Sequence, residues 1–210
     1  LGYLDLRAFA PPQLSGGKLA AAMSLLADTD ALVIDLRNNG GGDPATVALL
    51  ASYLFDARTR LNDIYDRGKN TTTQYWTSDT IAGPKYGGQK KLYLLVSHDT
   101  FSAGEDFAYA IKNLKRATLI GAATGGGAHP GTARRLTDHF AAMVPTGRSI
   151  SPITHGDWEG TGVAPDIVVA PEHALEKAQA LYMTDLLRSE QDPGRRERIS
   201  KRIAELGQGR

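Results

Sequence analysis

Lys90–Lys115, KKLYLLVSHDTFSAGEDFAYAIKNLK, changes its periodicity part-way along. Lys91–Val96 is an apolar run of strand length, Ser97–Ser102 is a short polar turn, and Ala103–Lys115 carries apolar residues at helical spacing. A strand feeding a helix through a short turn is the repeating unit of α/β proteins. Ser102 stands at the junction. A hydroxyl placed there can act as a nucleophile, because the free N–H groups of the first helical turn stabilise a developing oxyanion. Serine is equally a favoured helix N-cap. This stretch alone leaves both roles open.

The same alternation extends to either side. Gly2–Phe9 reads as a strand, Gln13–Ala27 as an amphipathic helix through Leu14, Leu19, Met23 and Leu26, and Ala31–Leu36 as a strand buried on both faces. Arg37–Asp43 then holds three consecutive glycines, and Pro44–Phe55 reads as a helix with proline in its first turn. Asp56–Gly88 is a more polar excursion containing Trp76. Beyond the central segment, Ala117–Gly121 is a buried strand and Gly125–Gly131 a flexible loop. Phe140–Val144 and Arg148–Ser151 are expected to pair as a hairpin around Pro145-Thr146-Gly147. Ile167–Val169 is a last strand and Pro171–Arg188 a helix. The expectation is an α/β core with a mainly parallel sheet and flanking helices over residues 1–188. A charged tail, helical or disordered, follows over 189–210.

At 210 residues the chain suits one large domain able to bury its own core. A formal net charge of +1 gives no reason to expect nucleic acid or an anionic membrane as partner. With no cysteine, disulfides, thiolate metal sites and a cysteine nucleophile are excluded. No apolar run approaches membrane-spanning length and no signal peptide is visible. Leu1 is followed directly by what reads as a core strand, so the chain is expected to be the C-terminal part of something longer.

Arg37–Asp43 and Ser97–Ser102 both leave the C-terminal ends of apolar strands, where α/β sheets usually place ligands. The three glycines offer backbone N–H groups that an anion or carbonyl oxygen can approach closely. Neither phosphate-loop nor dinucleotide spacing is present, and Phe-Ser-Ala-Gly around Ser102 is not the Gly-x-Ser-x-Gly elbow.

Four segments in order carry a resemblance: Asp35–Gly42 (DLRNNGGG), Thr100–Phe107 (TFSAGEDF), Gly125–Pro130 (GGGAHP) and Trp158–Asp166 (WEGTGVAPD). Together they resemble the catalytic domain of the tail-specific (C-terminal-processing) serine peptidases, in the branch with interphotoreceptor retinoid-binding protein and the tricorn protease core. The resemblance covers Gly2 to Val169. It implies a spiral α/β core of the crotonase or Clp-protease type, with Ser102 as nucleophile. Backbone N–H groups of Gly41, with Gly42 as the second choice, and of Ala103 are implied as the oxyanion hole. The better-known branch takes its base from a lysine in the next loop, but the matching stretch here, Thr124–Ala128, is TGGGA. Lys112 and Lys115 fall on the helix pattern, so a Ser–Lys mechanism is not expected. Tricorn-like relatives use an upstream histidine with a glutamate that Glu159 matches; that histidine has no counterpart here, and His129 is the local substitute.

His98 is the second choice as base, whereas His139, His155 and His173 are expected to be exposed or structural. Glu105, one helical turn beyond Ser102, is expected to tune the site or close a capping box. Asp35 and Arg37 are expected to pair, and Asp166 to sit in a turn. Trp76 and Trp158 are expected to pack or to line a substrate groove. The function that follows is a serine endopeptidase acting on peptides or proteins through an acyl-enzyme at Ser102. It needs no metal or organic cofactor, leaves homo-oligomerisation open, and is expected in a periplasmic or secreted setting by resemblance. The alternatives are a non-catalytic module binding hydrophobic small molecules, and an inactive fragment lacking an upstream histidine.

Overall fold

The computed structural model describes residues 1–208. Five strands, β1 (Gly2–Asp5), β2 (Ala31–Asp35), β5 (Lys91–Val96), β6 (Thr118–Gly121) and β10 (Ile167–Val168), form one sheet in the order β1-β2-β5-β6-β10. Every pairing in it is parallel. The α/β architecture read from the alternation is the one observed.

Residue alternation explains why both faces of this sheet are covered. On β2 and β5, Leu32, Ile34, Leu92, Leu94 and Val96 point into one apolar cluster, while Ala31, Val33, Tyr93 and Leu95 point into another. The first cluster is closed by α1 (Pro12–Leu26), α2 (Pro44–Ser52) and α3 (Ala103–Asn113), through Met23, Leu50 and Phe107 among others. The second is closed by α4 (Ala174–Ser189), which brings Ala178 against the sheet. Each fully buried side chain of this kind contributes roughly 1.5–3 kcal/mol. Helix α5 (Pro193–Gln208) folds back on α4, and Arg196 donates to the Leu187 and Glu190 carbonyls. Of the tail expected over 189–210, residues 209–210 lie outside the described residues.

One segment left unassigned gains strands here, and one expectation is corrected. The polar excursion contains an antiparallel pair, β3 (Arg60–Asp66) and β4 (Thr71–Trp76). The hairpin around Pro145-Thr146-Gly147 does not form. Strand β8 (Ala141–Pro145) pairs with β7 (Gly131–Arg135), whereas β9 (Gly147–Ile150) pairs with β3. The chain changes sheets at Thr146, where the N–H groups of Thr146 and Gly147 both donate to Pro130 O. A turn sequence between two strand-like runs says that the chain bends, but not which partners its strands take.

Strands β2 and β5 are neighbours in parallel register, with Asp35 opposite Leu95. Their outgoing loops therefore lie side by side and are tied together. Thr100 Oγ1 donates to Leu36 O (2.7 Å), Ser97 Oγ to Arg37 O (2.6 Å), and Phe101 N to Asn39 O (2.9 Å). Asp35 and Arg37 form the expected pair at the strand end. Burial alone would raise the Asp35 carboxyl, but hydrogen bonds from Arg37 and Tyr3 bring it below its ordinary range.

Candidate active site

Ser102 is half-buried at the N-cap of α3, with φ 52° and ψ −118°. A non-glycine residue with such angles costs about 1–3 kcal/mol and persists only where its surroundings enforce it. Here they do. Ser97–Thr100 is pinned to the β2 end, and the Ser102 N–H is held by Glu105 Oε2 at 2.8 Å. The conformation projects the hydroxyl from a sharp strand-to-helix turn, although the Gly-x-Ser-x-Gly pattern is absent.

The glycine loop packs against this turn without side chains between. A Cβ on Gly41 (φ 104°) would lie 2.7 Å from Ser102 Cβ, and one on Gly42 (φ 139°) would lie 2.0 Å from Phe9 O. The buried Asn39 shapes the loop, donating to Leu6 O (2.7 Å) and accepting from the Gly41 N–H (2.9 Å). That last bond occupies the Gly41 donor. The neighbouring N–H groups of Gly42 and Ala103 donate to no acceptor among the described residues. Of the two glycines named from sequence, Gly42 is thus the one with a donor to offer beside Ala103.

Glu105 is fully buried and accepts from four donors: Ser102 N (2.8 Å), Thr124 Oγ1 (2.5 Å), Gly126 N (2.6 Å) and Gly127 N (2.8 Å). It locks the serine turn to the next loop, Thr124–Ala128. The absence of lysine from that loop has a steric counterpart. The Phe101 ring lies where a Gly127 side chain would begin, with Cζ 2.2 Å from the Cβ position.

His129 shares the cleft with Ser102 and Glu159. Its Nε2 lies 3.2 Å from Asp157 Oδ2 and its Nδ1 3.9 Å from Glu159 Oε2, and no hydrogen bond joins it to Ser102 among the described residues. Asp157 was not singled out from sequence. Its signal was its place two residues before Glu159, immediately ahead of the fourth resembling segment. Glu159 Oε2 accepts from the N–H groups of Ala128 (2.7 Å) and His129 (3.0 Å). His98 is exposed in the turn and borders a different depression, with Arg37 and Asp99. His139 and His155 are exposed, and His173 pairs with Glu176. Trp158 is buried against Tyr109, and Trp76 lies under the Arg58 guanidinium. Lys112 pairs with Asp166, which also accepts from Leu119 N.

Asp106 is a further acid at this site that sequence reading passed over. Its burial pushes the carboxyl up to about 7, a rise only partly offset by the neighbouring Asn62 amide. Because the folded value lies above the unfolded one, the folded state binds more protons between the ordinary carboxylate range and pH 7. Stability should therefore fall as pH rises through that window and level off above it. Asp106→Asn removes the titration. It should gain up to about 4 kcal/mol over the parent at pH 8 and little at pH 4.5, read by urea unfolding at both values. An equal difference at both pH values would contradict the burial of an ionisable group here.

A parallel-sheet core that holds a serine on a strained strand-to-helix turn, against a glycine loop, defines an α/β protein of the serine-hydrolase type of architecture. The chain belongs to Peptidase family S41, which it matches over residues 1–169. It is 30% identical over 176 residues to carboxyl-terminal-processing peptidase 2, chloroplastic, of Arabidopsis thaliana, a match covering 79% of this chain and 31% of that protein. It is 29% identical over 174 residues to the carboxyl-terminal-processing protease of Synechocystis sp., covering 80% and 38% respectively. Among solved structures, the photosystem II D1 C-terminal processing protease superposes with a TM-score of 0.64 at 28% identity, covering 81% of this chain and 42% of that one. A putative S41 protease from Bacteroides fragilis shares the fold, with a TM-score of 0.68 at 21% identity over 80% of this chain and 46% of that one. The chain spans about a third of the length of these two curated relatives.

Proposed function

We propose that this domain hydrolyses peptide bonds in protein or peptide substrates through an acyl-enzyme at Ser102. The observation that carries the reading is the strained Ser102 turn, which packs against Gly41 and shares its cleft with Gly42 and Ala103, whose backbone N–H groups have no acceptor among the described residues. Family membership and the processing-peptidase relatives support the same chemistry.

In this mechanism Ser102 Oγ attacks the carbonyl carbon and its proton passes to an imidazole. The tetrahedral oxyanion accepts from the Gly42 and Ala103 N–H groups, the C–N bond breaks, and the imidazolium protonates the departing amine. Water then repeats the sequence to release the acyl group. Glu105 is a positioning residue, because both of its oxygens are engaged by the turn and the Thr124–Ala128 loop. His129 acts as base after turning toward the serine, with Asp157 and Glu159 orienting it. Catalytic hydrogen bonds are often loose until substrate binds. A base supplied from outside these 210 residues is the second reading, favoured by both His129 ring nitrogens facing carboxylates.

Hydrolysis of fluorogenic peptides by the purified protein, blocked by a serine-directed phosphonate, is the expected result. Hydrolysis indifferent to the phosphonate would overturn the reading. His129→Gln separates the two bases: a loss of about 10²–10⁴-fold assigns the role to His129, and full retention moves it elsewhere.

A further inference from the structure

The cleft beside Ser102 encloses about 430 Å³ and has largely apolar walls, with Ile64, Ala103 and Trp158 inside and Met143 at the rim. Asp106 also lines it. On α3 it follows Ser102 by four residues, hence on the same face and about one 5.4 Å turn away. Helical side chains lean toward the N-terminus, so this carboxyl leans back toward the serine end of the cleft. Asp106 is 5% exposed and its Oδ1 has no hydrogen-bond partner. Asn62, on β3, is 2% exposed; its amide neighbours Asp106 closely enough to ease that carboxyl, but neither amide atom makes a hydrogen bond of ordinary geometry, and the buried Trp158 Nε1–H is unpaired as well. Buried polar groups without partners are uncommon and costly; of these, Asp106 and Trp158 line the cleft, while Asn62 neighbours Asp106 outside the lining, so the Asp106 acceptor is the one an arriving group completes.

We propose that Asp106 sets substrate specificity by closing the pocket for the side chain that precedes the scissile bond, and that it selects lysine or arginine there. The proposal rests on the peptidase reading of Ser102. A long aliphatic stem matches the walls formed by Ile64 and Trp158, while its cationic tip meets the carboxylate. An ammonium carries donors enough to satisfy Asp106 Oδ1. A purely aliphatic residue would seal the Asp106 acceptor away unpaired, which is how a polar site rejects an apolar analogue. Glutamate or aspartate would bring like charge against the buried acid.

Two peptidyl diphenyl phosphonates that differ only in lysine or norleucine at that position test this on the purified protein. The expected result is labelling of Ser102 about 100-fold faster by the lysyl probe, with the ratio falling to about one in Asp106→Asn. A thermal melt confirms that the variant is folded. Equal rates in the parent, a faster norleucyl probe, or an unchanged ratio in the variant would overturn the assignment while leaving the peptidase reading intact. Labelling by neither probe would overturn the peptidase reading, and this assignment with it.

Discussion

Ser102→Gly is expected to abolish peptide hydrolysis and to raise the melting temperature in the same variant. The serine holds φ 52° and ψ −118°, a conformation that glycine adopts without a Cβ penalty. Relief of about 1–3 kcal/mol of backbone strain outweighs the roughly 0.5–1 kcal/mol by which glycine loosens the unfolded chain. A net gain of about 1 kcal/mol corresponds to about 2–4 °C for a domain of this size. Turnover should fall by about 10⁴–10⁶-fold, leaving only what binding and the oxyanion donors supply. Calorimetry and peptide turnover on one preparation check both halves. A variant that is inactive but destabilised would mean that the turn is not strained in the folded protein.

The second large effect is on stability. Glu105→Ala should lower the stability of the fold by about 4 kcal/mol. The substitution strands the N–H groups of Ser102, Gly126 and Gly127 and the Thr124 hydroxyl around a void. Each stranded buried donor costs about 1–3 kcal/mol, and water entering the space recovers part of the total. The melting temperature should drop by about 8–16 °C. Glu105→Gln keeps the volume but turns an NH₂ toward donors, so it should fall between the parent and the alanine variant. A melting temperature within 2 °C of the parent for Glu105→Ala would remove Glu105 from its role as the tie between turn and loop.

Much of this was legible in the chain because the central strands are buried on both faces. Lys91–Val96 was read with the bounds it has in the structure, and Ala31–Leu36 within one residue. Their apolar runs are short, unbroken and bounded by polar turns, and few other local structures satisfy that pattern. β3 and β4 escaped because β4 is largely exposed, and Thr71–Gln74 gives no apolar alternation to read. The position of Ser102 between strand and helix was legible for the same reason as the strand itself. Which of Gly41 and Gly42 keeps an unengaged N–H was not, since it turns on the one bond that the Gly41 N–H donates to Asn39 Oδ1. The burial of Asp106 was partly legible: it stands between Ala103 and Phe107 and Ala110 on the inner face of α3, where an acid is out of place. Asn62 comes beside it, and Trp158 into the same cleft, only through the tertiary fold.

The central claim is that Ser102 is a nucleophile rather than a helix cap. Its most direct test is to treat the purified protein with a fluorophosphonate and locate the adduct by mass spectrometry of tryptic peptides. The expected result is a single adduct on Ser102, within the peptide Leu92–Lys112, that is absent from Ser102→Gly. No adduct, an adduct on another serine, or equal labelling of the parent and Ser102→Gly would contradict it.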